Sequence, residues 1–190
     1  MQDFVHLHVH SQYSILDGQA AIKKLVDKAV ADGMKGIAIT DHGNMMGIKE
    51  FYNYVSKINK GKVGDDRFKP IIGCEVYVAE RRMFNKETKE DRGHHLILLA
   101  KNKQGYHNLV KIVSKAWSEG YYYNPRTDKA EIEKYHEGII CCSACLGGEV
   151  PQLIKNGNLE KAEETVMWFK NLFGDDYYLE LQLHKATVER

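Results

Sequence analysis

The chain of 190 residues has no excess of either charge: 27 basic residues against 26 acidic ones leave a net charge of +1. A surface so balanced casts no long-range field, so this segment is not expected to be the main binder of a polyanion. It also lacks any apolar run near the ~20 residues that span a bilayer, and no membrane partner is expected. The start, Met1-Gln2-Asp3-Phe4, has no basic stretch leading into an apolar one, so no signal peptide is expected and the default compartment is the cytoplasm. Cysteine is scarce and poorly spaced for crosslinking. Of the four, Cys141, Cys142 and Cys145 fall within five residues, so with Cys74 they read as buried thiols or a metal ligand rather than a disulfide framework. The charged stretches 57–69 and 80–92 are neither Pro/Ser-rich nor long enough to be tethers. They read as surface loops of one domain covering 1–190.

What is present is an ordinary globular balance, 43% hydrophobic and 28% charged. Strand-like runs at 4–9, 36–40, 69–78, 95–100, 138–142 and 177–183 alternate with helical spacing around Ile22–Val30, residues 48–57, Leu109–Trp117 and Leu159–Phe173. This β-α order predicts an α/β fold with a largely parallel sheet, open or closed into a barrel.

The most pointed feature is Phe4-Val5-His6-Leu7-His8-Val9-His10-Ser11, with a histidine at every second position. On a strand these would share one face, and neutral imidazole is the commonest side-chain metal ligand. The alternative is a strand whose histidines face solvent or pair in the core. Further candidates sit where strands give way to loops, the usual place for reactive groups in β/α architectures. Asp17 follows the first run, Asp41 and His42 follow 36–40, and Cys145 follows 138–142. Glu75 lies inside its run and His95 at the start of one, so either those strands run in another sense or the boundaries differ. Mixed His, carboxylate and Cys donors suit zinc, manganese or iron and are too nitrogen-rich for calcium or a lone magnesium. A carboxylate bridging two such ions predicts phosphate-ester hydrolysis without a protein nucleophile.

Rival motifs are weaker. Cys142-Ser143-Ala144-Cys145 is a C-x-x-C without a second pair to complete a zinc ribbon. Cys145-Leu146-Gly147-Gly148-Glu149 lacks the lysine of a phosphate loop. Tyr121-Tyr122-Tyr123 has the character of a base-stacking run, though such runs are more often half-buried packing. His184 is apolar-flanked, and alone it carries no ligand assignment.

These residues resemble the successive motifs of the PHP (polymerase and histidinol phosphatase) domain: His8-Val9-His10-Ser11 with Asp17-Gly18, Ile39-Thr40-Asp41-His42-Gly43, Gly73-Cys74-Glu75-Val76-Tyr77, His95 to Asn102, and Cys145 to Glu149. Tyr13 to Gly18, Ala100-Lys101-Asn102 and Ser114-Lys115-Ala116-Trp117 are similar to the form of that domain found at the N-terminus of bacterial DNA polymerase III alpha subunits. The resemblance implies a distorted seven-stranded, TIM-like β/α barrel holding up to three divalent metals, zinc or manganese, with iron as a further possibility. By position the ligands would be His8, His10, Asp17, His42, Glu75, His95 and Cys145. Glu75 would be a bridge and Asp41 would orient an imidazole, while His6 has no role. A final Asp-x-His motif is expected downstream of 177–183, beyond residue 190, which implies a domain cut before its last ligands and a barrel incomplete at its C-terminal end. In a full-length replicase the implied activity is a metal-dependent phosphoesterase acting as a 3′–5′ proofreading exonuclease, with the DNA primer end and other replicase subunits as partners. The alternatives are a structural module that stabilises the polymerase or docks a separate proofreading subunit, and, less well matched, a free-standing small-molecule phosphatase.

Overall fold

The structure, a computed structural model, describes residues 4–15, 17–86 and 91–182. His184 and Leu183 lie outside the described residues. In chain order the elements are α1 (Ile22–Ala31), β1 (Gly36–Ile39), α2 (Ile48–Ile58), β2 (Lys69–Val78), β3 (His94–Ala100), α3 (Lys103–Ser118), β4 (Tyr121–Tyr122), β5 (Asn124–Thr127), α4 (Lys129–Tyr135), β6 (Ile139–Cys142), α5 (Glu149–Lys155), α6 (Leu159–Phe173) and β7 (Tyr177–Tyr178).

Strand β2 is the hub. Its first half pairs in parallel with β1, so that Ile39 lies opposite Ile72. Its second half pairs antiparallel with β3, which places Tyr77 opposite His95. Its last two residues also pair in parallel with β5. Beyond β3 come β6, antiparallel, and then β7, parallel to β6. The sheet is therefore mixed and not largely parallel. The reason is the connection between β2 and β3. It holds no crossover helix among its described residues, and a chain returning without one pairs antiparallel. Among the described residues the strands do not close into a barrel: β4 and β7 end the sheet order, and β1 branches from β2.

Period-two alternation separates the two faces of β2. Cys74, Val76 and Val78 join Leu96, Leu98 and Cys141 in a core with Leu109, Ile112 and Val113 of α3 and Phe169 and Phe173 of α6. The α3 residues fall at the i, i+3, i+4 spacing that makes one buried helix stripe. A second core packs Ile22 and Val26 of α1 and Phe51 and Val55 of α2 on Ile37 and Ile39. The opposite face of the sheet carries Ile97, Leu99 and Cys142 with Ala38 and Ala144. Glu75, opposite Ile97, belongs to that face.

Two expected strands differ. Residues 4–9 do not form a regular strand. They run beside β1, with Ala38 N–H donating to His6 O and Thr40 N–H to Val9 O, both at 2.9 Å. A two-residue step on β1 thus faces a three-residue step on this segment, and the extra residue breaks the ladder. The strand expected at 177–183 is reduced to Tyr177–Tyr178. No helix among the described residues is long and apolar enough to cross a membrane.

Candidate metal centre

Glu75 is the middle of the site. It is 0% exposed, a carboxylate taken wholly out of water. Such a group persists only if paired. Its Oε2 lies 3.1 Å from His8 Nε2, 2.9 Å from His10 Nε2 and 3.3 Å from His42 Nδ1. Its Oε1 lies 2.5 Å from His95 Nδ1 and 3.7 Å from Cys145 Sγ, and that thiol is 3.4 Å from the same imidazole nitrogen. Asp17 joins at the rim, with Oδ2 3.1 Å from His42 Nε2. All seven residues proposed from the sequence therefore stand within one cluster.

Each arrives by a different route. The broken ladder at residues 6–9 removes the strict alternation that would have put three histidines on one face, and His8 and His10 converge at 3.2 Å between their Nε2 atoms while His6 is exposed. His42 continues the line of β1 and bridges to Glu75 in the register set by Gly36 and Lys69. His95 is the second residue of β3, and because β3 is antiparallel its start lies at the end of β2 that carries Glu75 and Tyr77. Cys145 follows Ala144, a non-glycine residue at φ 63°, a costly conformation of the kind that gathers at functional sites. Gly147 closes the turn. Its N–H donates to Cys145 Sγ at 3.4 Å, its carbonyl accepts from His95 N–H at 2.9 Å, and a Cβ there would meet the His95 ring at 2.9 Å.

Asp41 is buried, and among the described residues its carboxylate hydrogen-bonds to serines and to no imidazole ring. It accepts from Ser11 N–H at 2.6 Å, Ser11 Oγ at 2.7 Å and Ser14 Oγ at 2.7 Å. Because the Ser14 hydroxyl proton goes to Asp41, Ser14 Oγ can only accept in its 3.2 Å contact with His10 Nδ1. That puts a proton on His10 Nδ1 and turns Nε2 toward Glu75. Asp41 thus reaches His10 through a serine. Sequence reasoning passed over Ser14, Tyr77 and Glu180. Tyr77 stacks on His42 with ring centroids 6.0 Å apart and meets His95 edge-on at 5.2 Å. Glu180 Oε1 is 2.7 Å from His8 Nδ1. Its position just after β7 follows the same end-of-strand rule that singled out Asp41.

The electrostatics are those of groups competing for protons. Burial raises the Glu75 pKa, but hydrogen bonds from His10, His8 and His95 more than offset it and hold the carboxyl far below its usual range. Burial depresses His8, yet the Glu180 and Glu75 carboxylates push it up to about 10. His95, also opposed by burial, is pushed up to about 9 by Cys145 and Glu75. His42 moves down, because burial and the neighbouring His10 and His95 outweigh Glu75. Burial, with Glu75 beside it, pushes the Tyr77 hydroxyl up to about 12.

The residues fit metal ions. Three overlapping triads, His8–His10–Glu75, His10–Asp17–His42 and His42–Glu75–His95, each bring ligand atoms within 4.8 Å of one another. With Zn–N bonds of ~2.0–2.1 Å, tetrahedral neighbours are ~3.3–3.4 Å apart. The spacings of 2.9–3.3 Å around Oε2 approach that edge length. His42 Nδ1 is buried with no hydrogen-bond partner among the described residues, since its approach to Glu75 lacks hydrogen-bond geometry. A lone pair left so is what an ion would satisfy.

A family model described as the PHP domain matches residues 6–184. The DNA polymerase III subunit alpha of Borreliella burgdorferi is 50% identical over 184 residues, which are 95% of this chain and 15% of that protein. Its counterpart from Chlamydia trachomatis is 43% identical over 189 residues, 98% of this chain and 15% of that protein. The one from Aquifex aeolicus is 44% identical over 195 residues, 99% and 16%. The chain thus spans about 15% of the length of these curated relatives. Among solved structures, an amidohydrolase from Chromobacterium violaceum overlaps 58% of this chain and 34% of its own, at 21% identity and a TM-score of 0.38, a likeness too loose to bear on function.

Proposed function

This chain belongs to the PHP domain family, and from that premise we propose that it is the metal-dependent phosphoesterase module of a bacterial DNA polymerase III alpha-type subunit, acting there as a 3′–5′ exonuclease on a mismatched primer end. The observation that carries the proposal is the convergence of His8, His10, His42, His95 and Cys145 on the two oxygens of one buried carboxylate, with Asp17 at the rim. This donor set suits zinc or manganese, with iron as a third candidate, and we take up to three ions as its capacity. Such ions, when bound, lower the pKa of water and offset the charge of a phosphodiester.

The chain's own residues divide the remaining work. Glu75 presents Oε2 to one group of donors and Oε1 to another, the arrangement of a bridging ligand. Asp41 holds Ser14, and Ser14 holds His10 with its Nε2 inward. His42, kept neutral by burial, offers Nδ1 to the centre while Nε2 reaches Asp17, whose side chain is 57% exposed. That open side is where a phosphodiester would approach, and Tyr77 walls the site beside His42 and His95. The DNA end and other replicase subunits would be met through the rest of the protein.

The test is manganese- or zinc-dependent trimming of a mismatched 3′ primer end by the full-length protein. His8→Ala is expected to abolish trimming and to lower metal content. Unchanged trimming by that variant sinks the nuclease. A metal-dependent gain in melting temperature with no trimming by the wild type would instead assign the module a structural or docking role.

A further inference from the structure

We infer that Glu180 is a positioning residue of the metal centre, holding the His8 imidazole by a proton on Nδ1 so that Nε2 is the nitrogen aimed into the cage and offered to an ion. This rests on the metal-centre proposal above and goes beyond it, because none of the motifs that point to the ligands includes Glu180. An ionised carboxylate can only accept, so the 2.7 Å contact between Glu180 Oε1 and His8 Nδ1 makes that nitrogen the donor. The other ring nitrogen then faces Glu75 Oε2 at 3.1 Å and His10 Nε2 at 3.2 Å. A carboxylate behind a ligating histidine fixes the tautomer and ring orientation and strengthens the imidazole as a donor.

Glu180 is itself held in place. Its N–H donates to Ser143 Oγ at 2.9 Å, and Ser143 N–H donates to Tyr178 O at 3.0 Å, which pins the chain after β7 to the end of β6. The Gln182 amide donates to the same Oε1 at 2.6 Å, holding the carboxylate from a second side. His8 and Glu180 are 172 residues apart, so the contact joins the two ends of the described chain at the site. His10 has the equivalent arrangement, with Asp41 acting through Ser14. Both histidines of the opening pair are thereby oriented from Nδ1 by a carboxylate.

The experiment measures zinc affinity of the full chain by competition with a chromophoric chelator. It also records the visible spectrum of the cobalt form and, in the zinc-loaded chain, the His8 ring nitrogens by long-range 1H–15N NMR. Glu180→Ala is expected to weaken zinc binding ~10–100-fold, to shift the cobalt spectrum and to erase the fixed Nδ1–H tautomer of His8. Glu180→Gln keeps an oxygen acceptor and is expected to fall between, which serves as the readout if the alanine variant does not fold. Asp176→Asn, which removes a carboxylate paired with Lys101 near β7, is expected to leave affinity and spectrum unchanged. Folded Glu180 variants with wild-type affinity, spectrum and tautomer overturn the inference, as does an equal loss in Asp176→Asn. A wild-type chain that binds no zinc or cobalt overturns the metal centre itself.

Discussion

Among the described residues two charged side chains have no exposure at all, Glu75 on β2 and Arg126 on β5, and they are satisfied in opposite ways. Arg126 is met almost entirely by fixed groups. Its Nε donates to Gly120 O, one terminal nitrogen to Asp91 O and Oδ2, and the other to Met83 O and Asn85 O, at 2.9–3.4 Å. Those carbonyls cannot be exchanged, and they tie the loop after β2 to the sheet. Glu75 is met by four imidazoles and a thiol, groups whose protons a metal ion can replace. Burial alone therefore does not mark a functional charge. What marks it is whether the partners can change state.

The largest expected effect lies on the fixed side. Arg126→Met removes five donor contacts, leaves the buried Gly120 and Met83 carbonyls and the Asp91 carboxylate without their partner, and should destabilise the fold by about 3–5 kcal/mol in urea unfolding. Metal bound per folded molecule should not change. A variant that loses metal while keeping its stability would erase the contrast.

Next comes pH, acting on the exchangeable side. His8 and His95 have folded pKa values of about 10 and about 9, above the ordinary 6.5. In metal-free protein their contribution to stability is therefore complete below about pH 6.5 and lost as pH rises through about 9–10. Glu75 is depressed, so its contribution is present above 4.5 and lost as pH falls toward its lower folded value. Metal binding has the reverse dependence, since an ion must displace those imidazole protons. Zinc affinity should rise with pH up to about 9–10, with protons released on binding, while chelated protein loses melting temperature over that range. Calorimetry in buffers of different ionisation enthalpy checks this, and zinc uptake without proton release would contradict it.

The smallest effect should come from Gly147→Ala. The added Cβ would crowd the His95 ring at 2.9 Å, weakening metal binding while costing the fold only about 1 kcal/mol. Thermal unfolding with and without chelator separates the two. A loss that is equal in both would place the crowding in the fold and not in the centre.

Much of this was legible beforehand, in particular places. The run 69–78 reads as a strand and is β2, and helical spacing located the stripes of α3 and α6. The candidate ligands were legible as residue types near strand ends. The sense of β3 stood only as one of two alternatives for the misplaced His95; the antiparallel pairing with β2 settles it, and that reversal explains how His95 meets Glu75. Helix α4 carried a readable start, Asp128 capping Glu131 N–H at 2.9 Å, but with seven residues its apolar stripe is too short to stand out. The β4–β5 hairpin hides in Tyr121-Tyr122-Tyr123 because its turn uses Tyr123 at φ 59°, a conformation that propensity assigns to glycine.

By itself, then, the sequence determined the family, the place of the central strands along the chain and the chemical character of the donors, because apolar patterning and motif spacing are local properties. Only the tertiary structure decided which nitrogen of each histidine faces Glu75, that Asp41 acts through Ser14, and that Glu180 stands behind His8. Those outcomes depend on strand direction and on contacts across as many as 172 residues. Periodicity names the face a side chain occupies, and folding chooses the partner that waits there.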